Sequence, residues 1–128
     1  MKNLHLIISS LLIIPVALAY GTAPNKLLPL LFNFNTDTTT DIHNIFRAIM
    51  GLYLAMAVTW IAGIFKTKYW ATATIINIVF MSGLAFGRIT SFAADGMPSY
   101  VLVIGFIAEC LLVILAYFNW KKYKETVS

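Results

Sequence analysis

Charge and cysteine are what this chain has least of. Of its 128 residues only 11% are charged, against about 25% in an ordinary soluble domain. A soluble chain this short buries only about two thirds of its surface, so most of its apolar side chains would be left facing water. One cysteine, Cys110, excludes an internal disulfide, and its place inside an apolar run reads as a packed thiol. The two histidines, His5 and His43, stand apart near the ends of apolar runs. Only Asp41 lies near His43, so no set of metal ligands converges. No nucleophile with a matching base and no phosphate-binding loop is present, and the chain reads as non-enzymatic and without a cofactor.

Hydrophobic residues make up 60% of the sequence, and the mean hydropathy is +0.84. Four apolar stretches reach the length needed to cross about 30 Å of hydrocarbon at 1.5 Å per residue. They run over about 4–20, 43–65, 70–92 and 99–120, and predict an all-α integral membrane four-helix bundle forming a single transmembrane domain. Lys2 followed by an apolar run and Ala17-Leu18-Ala19 also fits a secretory leader with its cleavage site.

The net charge of +4 orients helices here; it is no footprint for nucleic acid, because the basic residues fall between and beyond the apolar runs. With the amino terminus in the cytoplasm, Lys2, Lys66, Lys68, Lys121, Lys122 and Lys124 all lie inside, and Lys26 alone lies in an outer loop. The prediction is a multi-pass protein of the cytoplasmic membrane with both termini cytoplasmic and a tight inner turn over 66–69. The outer loop, 21–42, opens with an apolar segment over 26–34, too short to span and too apolar to dissolve, expected to lie at the interface as a short helix or re-entrant piece. Its polar second half ends at Thr40 or Asp41, either of which would cap the second span. Gly96 and Pro98 mark a turn between the third and fourth spans.

Arg47, Arg88 and Glu109 fall inside spanning segments, where a charge costs roughly 2.5–3.5 kcal/mol and faces the protein interior with a partner. Folding the third and fourth spans about the Asp95-Gly96 turn sets Glu109 about six residues, or about 9 Å, deeper than Arg88. Side chains lean toward the amino-terminal end of their own helix, so the two converge and an ion pair is expected. Arg47 should lie near the depth of Arg88. Asn77, Met81, Leu84, Arg88, Ser91 and Asp95 recur on one face of the third span. Arg47, Arg88, Ser91, Asp95 and Glu109 are accordingly the expected ligand-binding residues of a polar pocket open to the outer side, suited to an anionic small molecule or a lipid headgroup. The alternative is that the charges only fix helix register.

The Gly83-to-Gly87 spacing, Gly51 with Ala55, and Gly105 with Ala108 predict close helix approach, and a bundle this small often self-associates into a homo-oligomer. Trp60, Trp70 and Trp120 read as an interfacial aromatic belt.

Arg47-Ala48-Ile49-Met50-Gly51-Leu52-Tyr53, Gly87-Arg88-Ile89-Thr90-Ser91, Asp95-Gly96-Met97-Pro98-Ser99 and Glu109 together resemble the small bacterial membrane proteins grouped as domain of unknown function 4345, a four-helix family with some similarity to DoxX-like proteins. The resemblance covers most of the chain and implies an uncleaved first helix. Where the family typically carries Gly-Gly after the Arg of the second span, this chain has Met50-Gly51. The family supplies no activity. From the residues, the leading expectation is a membrane protein that binds or moves a small polar or anionic ligand or a lipid headgroup; the rival is a structural or accessory subunit.

Overall fold

The computed structural model describes residues 1–32 and 39–127. Among the described residues there are five helices and no strands: α1 (Leu4–Gly21), α2 (Pro24–Phe32), α3 (Thr40–Phe65), α4 (Thr67–Asp95) and α5 (Tyr100–Val127). Four of them, α1, α3, α4 and α5, are long and apolar enough to cross a membrane. The remaining one, α2, is the short helix expected in the loop; residues 33 and 34 of that expectation, and most of the polar segment after it, lie outside the described residues.

Local chemistry sets the boundaries. The cap of α3 is Thr39, one residue before the expected Thr40 or Asp41: the Thr39 hydroxyl accepts from the Ile42 N–H at 3.5 Å. Asp41 still serves the same end, as an acidic side chain in the first turn next to the positive end of the helix dipole. Lys66 alone separates α3 from α4, closing one helix and opening the next in an extended conformation (φ −119°). The inner turn is therefore shorter than expected, with Tyr69 already helical. Gly96 ends α4 at φ +91°, a conformation that side chains with a Cβ rarely adopt.

The helices pack mainly as α1 on α3, α3 on α4 and α4 on α5, while α1 and α5 meet only sparsely. At one end the chain termini come together. The Asn119 amide near the end of α5 lies 3.4 Å from the Lys2 carbonyl oxygen, and the Asn3 amide donates to Ile64 O at the end of α3. This is called the termini end below, and the opposite one, with Gly96, the turn end.

Trp60 and Trp70 are fully buried, packed with Leu6, Ile13, Ala73, Met81 and Leu112 in the main core. They are core residues and not the interfacial belt that the sequence suggests. A second cluster of Ala19, Leu28 and Phe32 seats α2 against the turn end of α1.

The glycines also depart from expectation. A Cβ on Gly51, Gly83 or Gly87 would meet nothing within 4 Å, so the Gly83-to-Gly87 stripe is not where these helices approach. The close approaches are Gly63 against Ala73, joining α3 to α4 beside their one-residue turn, and Gly21 against the Met50 side chain. Met50, the departure from the family pattern, thus fills the space over Gly21.

Candidate functional site

A cavity of about 300 Å3 lies toward the turn end, walled by α1, α3, α4 and α5 and roofed by Leu31 and Phe32 of α2. Its position follows from the packing order. Because α1 and α5 hardly touch, a cleft is left between them, closed behind by α3 and α4. Helix α2 is held over that cleft by the burial of Leu28 and Phe32 and by the Ser99 hydroxyl, 3.4 Å from Phe32 O.

Arg88 of α4 and Glu109 of α5 meet in the wall of this cavity. Nε of Arg88 donates to both carboxylate oxygens, at 2.9 and 2.8 Å, and Nη2 donates to Oε1 at 2.8 Å. The side chains are 28% and 11% exposed, so the pair is largely withdrawn from the surroundings and the carboxylate more so. Nη1 and one proton of Nη2 take no part in the bond. Those N–H groups are what the site can offer to an incoming acceptor such as a carbonyl, carboxylate or phosphate oxygen.

Gly105 makes room for the guanidinium: a Cβ there would lie 3.7 Å from Nη2. Tyr20 of α1 and Tyr53 of α3 bring phenol rings to the same cavity. Their ring centroids are 6.1 Å apart and near perpendicular, and Tyr53 continues through Phe80 to Trp60 at 5.3 and 5.6 Å. Edge-to-face contacts at these distances make the back wall one aromatic row from the cavity into the core. The other lining residues are apolar, including Val16, Leu84, Leu102 and Ala108. Leu12, Leu31 and Ile104 line the cavity and are also 45, 43 and 60% exposed, so the cavity opens past apolar side chains of α1, α2 and α5.

Of the five residues expected to form one pocket, the structure brings together Arg88 and Glu109. Arg47 is exposed and lines a separate, shallower cavity of about 210 Å3 with Lys26 and His43 at the start of α2 and α3. Ser91 and Asp95 are exposed and bond to each other, Ser91 Oγ donating to Asp95 Oδ2 at 2.9 Å one turn along α4. The reason is rotational. Depth along a helix can be counted from its ends, but in a helix apolar all round nothing in the sequence fixes which side turns inward. Tyr20, Tyr53 and Gly105 are the site residues that sequence reasoning missed. Tyr53 carried a usable signal, as a side chain with a polar tip near the middle of an apolar span.

The end of the chain holds another polar group that the sequence hides. His5 is fully buried and bonded on both ring nitrogens: Nε2 to Thr74 Oγ1 and Nδ1 to Asn119 Nδ2, each at 3.0 Å. The one hydroxyl proton of Thr74 goes to Trp70 O at 2.8 Å. With that proton on Trp70 O, a neutral ring whose Nε2 donates to Thr74 and whose Nδ1 accepts from the Asn119 amide gives each of these groups a partner.

No curated protein and no solved structure matches the chain. A family model does, that of a domain of unknown function (DUF4345), over residues 1–119. That match takes in α1 to α4 and all of α5 that lines the cavity. The chain belongs to the DUF4345 family.

Proposed function

We propose that this protein binds an amphipathic, lipid-class molecule in the cavity at the turn end, with its polar head on Arg88 and its apolar body against the walls. One observation carries this reading: a cavity of about 300 Å3 whose lining, among the described residues, is apolar apart from one ion pair and two tyrosines, and whose mouth is bordered by exposed apolar side chains. A small polar solute would gain little from those walls. A purely apolar one would leave the N–H groups of Arg88 without an acceptor, and buried donors left unpaired cost about 1–3 kcal/mol. A headgroup with a carbonyl, carboxylate or phosphate oxygen, joined to a hydrocarbon body, satisfies both halves. The lysine distribution, six at the termini end and Lys26 toward the other, supports cytoplasmic termini by the positive-inside rule, and with that orientation the cavity belongs to the outer half of the membrane.

Native mass spectrometry of the protein released from nanodiscs tests this. The wild type should retain one lipid-class molecule per binding site after detergent is stripped. Ala108→Phe, which fills the cavity, should lose it while keeping the helical circular dichroism spectrum. Equal retention by both would refute the reading.

A second reading has its own observation. The two-oxygen geometry of Arg88 on Glu109 pins α4 to α5, as expected of a structural or accessory subunit whose charges serve packing alone. In that case Ala108→Phe changes stability and nothing else.

A further inference from the structure

Below the cavity floor, toward the termini end, lies a layer of buried polar groups that the ligand reading does not use. Ser9 and Asn77 are both fully buried, and the Ser9 hydroxyl and both ends of the Asn77 amide have no protein partner. The indole N–H groups of Trp60 and Trp70, in the same core, are likewise unpartnered. A fully buried amide with neither end bonded is rare in folded proteins, where nearly all such groups find a partner in protein or ordered water.

The packing places these groups. Helices α1 and α4 run in the same direction: His5 meets Thr74 near the termini end, and Tyr20 and Arg88 both reach the cavity at the other. Ser9 is one turn beyond His5 and Asn77 about one turn beyond Thr74, so the two side chains share one level of the interior. One further turn on are Ile13 and Met81, which with Leu112 of α5 form the cavity floor. All three are buried. From the termini end upward the interior therefore runs from His5, Thr74 and Asn119 through Ser9 and Asn77 to a single apolar layer, and above that to the cavity holding Glu109.

We infer that Ser9 and Asn77 hold buried water, and that with the His5 network this layer forms a proton half-path from the termini end to the cavity, closed by the Ile13, Met81 and Leu112 side chains. Water suits the site because it needs two to four polar partners, and the Ser9 hydroxyl and the Asn77 amide supply both donors and acceptors. The closing layer is one side chain thick, about one helical turn. One of its members, Met81, is unbranched and able to change rotamer. An apolar layer between two sets of polar groups, the Ser9 and Asn77 level below it and the Arg88–Glu109 pair above it, is the arrangement by which hydrophobic gates work. The half-path ends at Glu109, the one carboxylate among the described residues that line the cavity, and does not depend on what the cavity binds.

Proton entry into proteoliposomes loaded with a pH-sensitive dye and driven by a potassium diffusion potential is the test. Wild type should be nearly proton-tight, and Met81→Ala should raise the entry rate about tenfold by removing the apolar closure. Adding Asn77→Leu to Met81→Ala should return the rate to near the wild-type value. Leu112→Ala, with and without Asn77→Leu, repeats the comparison should Met81→Ala fail to give a monodisperse protein. Flux unchanged in both opened variants, or raised flux that Asn77→Leu does not suppress, would overturn the inference. Failure here leaves lipid retention by the wild type as it was, so the two proposals fail separately.

Discussion

Gly105 of α5 and Arg88 of α4 are matched in shape: a Cβ built on residue 105 would stand 3.7 Å from Nη2 and 4.0 Å from Cζ of the guanidinium. Those are ordinary contact distances, so Gly105→Ala should be tolerated, with the ion pair intact. Gly105→Leu occupies the space of the guanidinium itself and should cost about 1–3 kcal/mol, the usual range for overpacking. Thermal melting of the two variants in the same detergent checks the difference.

The ion pair predicts a signature in a double-mutant cycle. Arg88→Leu leaves the Glu109 carboxylate, 11% exposed, without its cation, and Glu109→Leu strands the guanidinium. Breaking a buried pair from one side costs about 3–5 kcal/mol; because the Arg88 side chain is 28% exposed, about 2–4 kcal/mol is expected. The double substitution should recover most of that loss, since no lone charge is left. Unfolding titrations of all four proteins measure it, and additive losses would count against a direct pairing.

Two kinds of glycine should respond oppositely. A Cβ on Gly63 would run into Ala73 and stand 3.5 Å from the Trp70 Cα, so Gly63→Ala should destabilise by about 1–3 kcal/mol. Gly63→Ala combined with Ala73→Gly should restore part of it. Gly83→Ala and Gly87→Ala meet open space and should cost nothing in the monomer's stability. A marked loss in either, seen together with a smaller species on size exclusion, would show that this face packs against another chain.

The His5 network gives a further prediction. Asn119→Leu removes the donor to His5 Nδ1 and leaves a buried ring nitrogen unpaired, at a cost of about 1–3 kcal/mol. Proteolysis should also reach the amino terminus sooner, because the same amide lies 3.5 and 3.4 Å from the Met1 and Lys2 carbonyl oxygens.

How far the sequence reaches is decided by lipid. Run length and breakers depend on the thickness of hydrocarbon and on backbone chemistry, so the four long helices and the Gly96 turn are legible, as is the short α2. The meeting of Arg88 with Glu109 is legible too, because depth counted from a turn and the lean of side chains toward the helix amino terminus are geometric. Rotation about each helix axis is not. Exposed Phe86 and Ile107 and buried Leu6 and Leu112 are equally apolar, so the sequence carries no strong stripe to say which side turns inward. That is why Arg47 reads as a pocket residue yet lines a different cavity, why Trp60 and Trp70 read as interfacial yet fill the core, and why His5 passes for an isolated end residue.

An amphipathic molecule in the turn-end cavity, its head on Arg88, should be visible in place. A crystal structure of the wild type grown from a lipidic mesophase tests it most directly. Elongated density entering between α1 and α5 and ending in a polar group about 3 Å from Arg88 Nη1 is expected. A cavity collapsed around its own side chains, or one containing ordered water alone, would contradict it.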